Sequence, residues 1–239
     1  MHINEPFTSR SKLQDLGRWL VTRHVESVAA SLTSGMSILD AGAGECAYKV
    51  LFSHVHYKAI DLAVGEKQWN YGNLDYVGSL DNMPIESSSF DAVLCTQVLE
   101  HVEWPRECVK EMWRVLKTGG KLFMTVPMSH PEHQVPYDFF RYTSYGLRSI
   151  CTQAGFSEVH IQPFGGLWTR WAYELPRALD LIPGLGIRSG SFNPKGIIWA
   201  PIRLVASITV RILQTLFLWL ERFDKQKNDP FGWSVIAIK

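Results

Sequence analysis

Strand-like runs alternating with helix-periodic stretches predict an α/β chain with a doubly wound parallel sheet. Three observations carry the prediction. Short apolar runs at Ser37 to Asp40, Lys58 to Asp61, Phe90 to Cys95 and Lys121 to Val126 recur between loop signals and amphipathic segments. Two of them end on an acid, and one runs straight into Ala41-Gly42-Ala43-Gly44, a turn that brings bare backbone toward a ligand. The chain closes on Trp233 to Lys239, a further strand that follows a long apolar insertion.

The 239 residues suit one domain with an insertion, and a hydrophobic content of 46% is enough for a full core. Lys and Arg number 24 against 23 Asp and Glu, so no nucleic-acid footprint is expected. Cys46, Cys95, Cys108 and Cys151 form no C-x-x-C pair, which fits reduced thiols in a cytoplasmic protein. Met1 to Arg10 lacks the apolar core expected of a signal peptide.

Residues 1–34 are expected to hold an N-terminal helix, Ser11 to about Ala30, because Leu13, Leu16, Leu20, Val25 and Val28 recur at helical spacing. Gly35 ends it and the first strand follows. A second helix is expected after Gly44, then the strand ending at Asp61, then a weaker one at Asp75 to Gly78. Pro84 and Ser87-Ser88-Ser89 mark the loop before the fourth strand. Pro105 to Leu116 sets Val109, Met112, Val115 and Leu116 on one helical face, and Gly119-Gly120 should stop that helix before the fifth strand. Ser144 to Ala154 reads as a helix closed by Gly155, and Phe156 to Gln162 as the sixth strand. The organisation that follows is a ligand-binding domain over 35–163, a strongly apolar helical insertion over 164–230, and a terminal strand at 231–239 that completes the sheet.

The glycine turn decides which ligand to expect. A diphosphate needs a helix N-terminus free of negative charge. Here Asp40 precedes the glycines and Glu45 sits where phosphates would lie. Those carboxylates disfavour a dinucleotide and favour a ligand with a cationic sulfur, an amine and two ribose hydroxyls, which is S-adenosylmethionine. Asp61, at the end of the second strand, is placed to accept both hydroxyls.

Four blocks in fixed order extend this reading: Ile38-Leu39-Asp40-Ala41-Gly42-Ala43-Gly44; Ala59-Ile60-Asp61-Leu62; Met83-Pro84-Ile85 leading into Ser89-Phe90-Asp91-Ala92-Val93; and Val98-Leu99-Glu100-His101-Val102 with Arg114-Val115-Leu116-Lys117-Thr118-Gly119-Gly120. With them the chain resembles the class I S-adenosylmethionine-dependent methyltransferases, in the group acting on small molecules of quinone and glycan pathways. The resemblance covers roughly Ser34 to Gln162 and the terminal strand. It implies a seven-stranded sheet whose last strand is antiparallel, with S-adenosylmethionine as cofactor. It also implies roles. Gly42 and Gly44 would offer N–H groups to the methionine carboxylate, while Asp40 and Glu45 supply negative charge near the amine and sulfonium. Asp61 and Leu62 would hold the ribose, Ser79 and Leu80 the adenine, and Thr96 and Gln97 the methionine end. Ser79 and Cys46 depart from the acid and the glycine usual at their positions. His101 either touches the cofactor or caps local backbone, and Asp91, at the remote edge of the sheet, is read as structural.

Methyl transfer needs positioning, and a hydroxyl acceptor also needs a base. The loop Pro127 to Thr143 leaves the ligand-bearing end of the sheet and gathers histidines, acids, an arginine and aromatic rings. His133 is the expected general base with His130 second, and Asp138, Arg141 and Tyr142 are expected to bind the acceptor. The alternative is that Asp138 and Arg141 pair and cap the next helix. No metal is expected, because His130, Glu132, His133 and Asp138 match no standard ligand spacing.

In the insertion, Arg203, Ser207, Arg211, Gln214, Glu221, Arg222 and Lys225 share one helical arc, and the rest of the circumference is apolar. A membrane span would strand the last strand away from a cytoplasmic sheet. Residues 196–225 are therefore expected to lie on a membrane surface with the basic side toward headgroups, or to be buried against the domain or a second copy in a homodimer. The expected function is methyl transfer to a hydroxyl of a small-molecule or lipid-linked acceptor, in the cytoplasm and peripheral to the inner face of a membrane. Two other classes compete: a non-catalytic membrane-associated scaffold on the same fold, and an NAD-dependent dehydrogenase, disfavoured by Glu45 and by Ala47 where a glycine would stand.

Overall fold

The computed structural model describes residues 12–13, 15–65, 69–184 and 193–239. Met1 to Ser11, where the signal-peptide reading and the expected start of the first helix fall, lie outside the described residues. The chain divides into two compact units, one built on Leu20–Phe164 and Gly232–Lys239, the other on Gly165–Phe231 with the segment ending at Trp19.

The first unit holds the sheet. Its strands are β1 (Ser37–Ala41), β2 (His56–Asp61), β3 (Tyr76–Val77), β4 (Phe90–Thr96), β5 (Leu116–Pro127), β6 (Glu158–Phe164) and β7 (Gly232–Ile238). They lie in the order β3-β2-β1-β4-β5-β7-β6. The first five pair in parallel, and β7 runs antiparallel between β5 and β6. The seven-stranded sheet with an antiparallel last strand is therefore present. Its central strands are near-continuous apolar runs because both faces are covered: Ile38, Leu39, Val93, Leu94, Cys95, Leu122, Met124, Val235 and Ala237 are fully buried.

The helix α1 spans Leu16–Ser31 and buries Val21, Val25 and Val28. The next helix, α2 (Pro105–Val115), buries Cys108, Val109, Met112 and Val115 at helical spacing. In α3 (Ser144–Ala154) the Thr143 hydroxyl accepts from the Gly146 N–H at 3.2 Å, and Gly155 at φ 109° closes the last turn. Asp91 is structural: it accepts from the Ser37 N–H at 2.8 Å and from Lys117 at 2.8 Å. Lys239 Nζ donates to the carbonyls of Trp113 and Leu116 at 2.8 and 2.6 Å, where α2 ends.

Two expectations are corrected. No helix follows Gly44; turns lead to one 3-10 turn at Lys49–Phe52. The N–H groups of Gly42 and Ala43 are drawn to the Ile60 carbonyl, and Cys46 takes φ 58°, so the backbone turns toward β2 before helical hydrogen bonds can propagate. Gly119-Gly120 do not stop α2, which ends at Val115 as Leu116 turns extended; they form an irregularity inside β5, with Gly119 at φ 76°. Glu100 and His101 lie in a 3-10 turn, Leu99–His101, ahead of α2.

The second unit contains α4 (Leu167–Glu174), a 3-10 turn at Leu175–Leu181 and α5 (Lys195–Leu220). The N–H groups opening α4 are met by carboxylates: Gly166 and Thr169 donate to Glu221 at 2.7 and 2.9 Å, and Leu167 to Asp224 at 3.1 Å. The orientation of α5 corrects the expectation for the insertion. Part of its polar arc, at Arg203, Ser207 and Gln214, points inward, while Arg211, Arg222 and Lys225 are exposed. Gln214 is buried and donates to the Ala172 carbonyl at 2.9 Å, Arg203 donates to the Leu179 and Ile182 carbonyls, and Arg211 donates to the Leu13 carbonyl. The outward face is Ile198, Val205, Ile208, Ile212, Leu216 and Trp219, all exposed. Gly196–Phe223 is long and apolar enough to cross a membrane, with mean hydropathy 1.6, and 11% of its most apolar window is buried.

Candidate active site

The C-terminal ends of β1 and β2 meet at the glycine turn. Gly42 and Ala43 donate to the Ile60 carbonyl at 2.9 and 3.1 Å, and Gly44 donates to Asp61 Oδ2 at 2.9 Å. The other Asp61 oxygen accepts from the Ala63 N–H at 2.8 Å. Gly42, at φ 81°, is required by packing: an added Cβ would lie 2.5 Å from both methyls of Val98. Among the described residues, Trp69 alone comes near an added Cβ at Gly44, at 3.8 Å, and Trp69 packs on Tyr71. Asp40 is 2% exposed and accepts from the Tyr57 hydroxyl at 2.6 Å. Burial raises its carboxyl to about 7; the Tyr57 bond opposes this and the charge of Asp61 adds to it. Glu45 is turned to the β2–β3 loop, where it accepts from the Asn70 N–H at 2.9 Å.

Val98 leads from the glycine turn into a second group of side chains. Glu100 is fully buried, and neither of its carboxylate oxygens has a hydrogen-bond partner among the described residues. Burial raises this carboxyl to about 8. His101 Nδ1 meets the Tyr137 carbonyl at 2.5 Å, and its Nε2, also unpartnered, lies 3.9 Å from Glu100 Oε1. The rings of His101 and His133 are 4.6 Å apart, and those of His133 and His130 4.3 Å. Burial lowers the pKa of His133, as do the neighbouring imidazoles of His130 and His101, against the pull of Asp138. Asp138 accepts from Arg141 at 2.7 and 2.9 Å and from the His133 N–H at 2.9 Å, and the guanidinium holds its carboxyl well below the usual range.

Comparison with known proteins bears on this geometry. Residues 39–124, which carry both groups except the loop after β5, match the family described as a methyltransferase domain. This is a class I S-adenosylmethionine-dependent methyltransferase domain. The chain is 31% identical over 139 residues to the demethylmenaquinone methyltransferase of Paenarthrobacter aurescens, covering 56% of this chain and 53% of that one. It is 44% identical over 54 residues to a ubiquinone biosynthesis O-methyltransferase of Xanthomonas oryzae pv. oryzae, 22% of this chain and 23% of that one. The chain thus spans about half or less of the length of the curated relatives it matches. Among solved structures, an S-adenosylmethionine-dependent methyltransferase from Archaeoglobus fulgidus shares the fold at TM-score 0.58 and 14% identity, covering 95% and 97% of the two chains. Haemonchus contortus phosphoethanolamine N-methyltransferase 2, in complex with S-adenosyl-L-methionine, does so at 0.54 and 17%, covering 92% of this chain and 52% of that one.

The residues of this domain fit S-adenosylmethionine. Asp61 uses one oxygen on each N–H, so a carboxylate with roughly four lone-pair positions still has capacity for ribose hydroxyls. Asp61 sets a carboxylate at the turn, and Trp69 offers an aromatic side chain beside Gly44. Gln97, at φ 55°, is held by Thr125 through its N–H and its side-chain amide, at 2.9 and 3.2 Å, and Thr96 pairs with Thr125 in the ladder. Several expected roles do not match the geometry. The Gly42 N–H is taken by Ile60 and the Gly44 N–H by Asp61, so neither is available to a methionine carboxylate. The Leu80 side chain is buried in the core cluster, and Leu62 is exposed. Tyr142 is buried with its hydroxyl on the Leu99 carbonyl at 2.8 Å, which makes it a brace and not an acceptor contact. Asp138 and Arg141 pair, but they brace the loop at His130, Pro131 and His133, while α3 is capped by Thr143. His101 turns to Glu100 and His133. Ser79 stays half-buried before Leu80. Glu100 and Trp69 were missed by sequence reasoning. An acid flanked by Leu99, His101 and Val102 and an aromatic pair after the second strand were the available signals.

Proposed function

We propose that the methyltransferase moves a methyl group from S-adenosylmethionine to a hydroxyl of a small-molecule or lipid-linked acceptor. The observation that carries the reading is the imidazole group of His101, His133 and His130, set next to Glu100 and reached from the glycine turn through Val98. When bound, S-adenosylmethionine supplies an activated methyl carbon and keeps the carbon–sulfur electron pair. The chain's own residues position the acceptor and take its proton. His133, steadied by Asp138 at 3.3 Å, is the imidazole proposed to receive it, with His130 behind. Among the relatives, the name of the ubiquinone biosynthesis O-methyltransferase supports a hydroxyl acceptor, and that of the demethylmenaquinone methyltransferase supports only an acceptor of quinone type.

The test is transfer of labelled methyl from S-adenosylmethionine to extracted lipids, quinones and glycans, with product analysis. Asp61→Ala should lose S-adenosylhomocysteine affinity, and His133→Ala should keep that affinity and lose turnover. Failure of the wild type to bind S-adenosylhomocysteine, or tight binding of NAD, would overturn the reading in favour of a scaffold or a dehydrogenase.

The outward face of α5 favours a lipid-linked acceptor. We propose that α5 lies in the surface of a membrane, its exposed isoleucines and leucines in the acyl boundary, with Gln214 covered by its own unit and Arg211, Arg222 and Lys225 left exposed. Liposome flotation of the wild type against Ile208→Glu/Leu216→Glu decides this. No flotation of the wild type, or a concentration-dependent dimer in its place, would remove the membrane contact.

A further inference from the structure

The structure assigns one more ligand to this site. We propose that Glu100, His101 and His133 hold a divalent transition ion of the zinc class. One donor atom from each lies within 4.8 Å of the others. The three come from two segments, the 3-10 turn Leu99–His101 and the loop after β5, which the Phe139 N–H ties together by donating to the Glu100 carbonyl at 2.9 Å.

Three features separate a metal site from a chance meeting of polar side chains. The first is what the buried atoms lack. Both Glu100 oxygens and His101 Nε2 are enclosed with no hydrogen-bond partner among the described residues, a condition folded chains seldom tolerate. A Glu100–His101 hydrogen bond does not relieve it, because 3.9 Å is too long for one. The second is the tautomer each imidazole is held in. His101 Nδ1 faces the Tyr137 carbonyl, and His133 Nδ1 faces the Pro131 carbonyl at 3.1 Å and Asp138 Oδ2 at 3.3 Å. Each Nδ1 therefore carries the proton and each Nε2 the lone pair. Ligating histidines are oriented in this way by carbonyls and carboxylates. Asp138 is itself fixed by Arg141. The third is the donor set. Two imidazoles and one carboxylate suit zinc and its first-row neighbours better than magnesium or calcium, and three protein ligands leave a position open. His133 keeps 28% of its side chain exposed, so the cluster is open to a substrate.

The inference rests on the methyl-transfer reading for its role: the open position would take the acceptor oxygen and make its hydroxyl more acidic. With His133 ligating, the neighbouring His130 becomes the proton acceptor. Binding itself does not depend on that role. After chelator treatment, the full chain is titrated with Co2+ and followed by its visible absorption, with S-adenosylhomocysteine affinity measured in parallel. The expected result is one Co2+ per chain, competed by Zn2+, with affinity about tenfold or more weaker in Glu100→Gln and in His133→Ala. No Co2+ absorption by the wild type, or equal affinity in both variants, overturns the ion site. S-adenosylhomocysteine bound without Co2+ would leave the methyltransferase reading standing and the ion refuted; Co2+ bound without S-adenosylhomocysteine would do the reverse. Should Glu100→Gln fail to fold, the partly exposed His133→Ala carries the comparison alone.

Discussion

Replacing Gly42 by alanine separates two reasons for a glycine at the first turn. If Gly42 exists to expose an N–H to the cofactor, Ala would weaken ligand binding and leave stability alone. The structure gives another reason. The Gly42 N–H is already bonded to Ile60, and a Cβ there would sit 2.5 Å from both Val98 methyls with φ at 81°. The left-handed conformation costs a non-glycine residue about 1–2 kcal/mol, and forcing a methyl into a filled site costs roughly 1–3 kcal/mol. Gly42→Ala should therefore lose about 2–5 kcal/mol, or roughly 4–20 °C in melting temperature for a chain of this size.

The double variant Gly42→Ala/Val98→Ala tests the cause. Removing the Val98 methyls relieves the overlap but not the backbone conformation. The double variant should therefore be more stable than the sum of the single effects, by about 1–3 kcal/mol. Thermal melts of all four proteins, with S-adenosylhomocysteine titrations beside them, complete the cycle. Single-variant effects that add within about 0.5 kcal/mol would show that Val98 is not what excludes a side chain. Unchanged stability with lost ligand affinity would restore the reading in which Gly42 faces the cofactor.

Asp91→Asn should cost about 1–2 kcal/mol at neutral pH, a figure discounted for the partial exposure of the group. Burial pushes this carboxyl up, but Lys117 and Ser37 outweigh it and hold it at about 2. Because the folded value is lowered, the stabilisation is present above the ordinary carboxylate range and lost as pH falls toward 2; melts of wild type and variant should converge there, and parallel curves would refute it. Asp40 has the opposite sign. Its folded value of about 7 means that its contribution is complete below the ordinary carboxylate range and is lost as pH rises through 7. Asp40→Asn should flatten the fall in melting temperature between about pH 4 and pH 7, and an unchanged profile would mean that the carboxyl is ionised in the folded protein. Lys239→Met should cost about 2 kcal/mol, by freeing the Trp113 and Leu116 carbonyls that its ammonium now meets, and hydrogen exchange should rise first in the last turn of α2.

What the residues disclose in advance is what periodicity and local chemistry can encode. The strands are legible because a buried parallel strand must be apolar throughout, and the end of α3 because Gly155 is at positive φ. The absent helix after Gly44 was not legible. Helix-forming residues follow the glycines, but the closing of Gly42, Ala43 and Gly44 onto β2 is a long-range constraint that propensity does not contain. Asp40 and Asp61 could be picked out because each stands at or next to the end of its own strand. The Glu100–His101–His133 group could not, since no spacing rule links a turn before α2 to a loop beyond β5. Hydrophobic patterning marks an amphipathic helix but not which face the protein keeps. In α5 the usual assignment is reversed: Arg203 and Gln214 serve carbonyls of the neighbouring turn and helix, whose backbone groups need donors, so the polar arc is the one the unit can use. The apolar arc is left outward, and an apolar environment, lipid in our proposal, is the setting in which so much exposed hydrocarbon is stable.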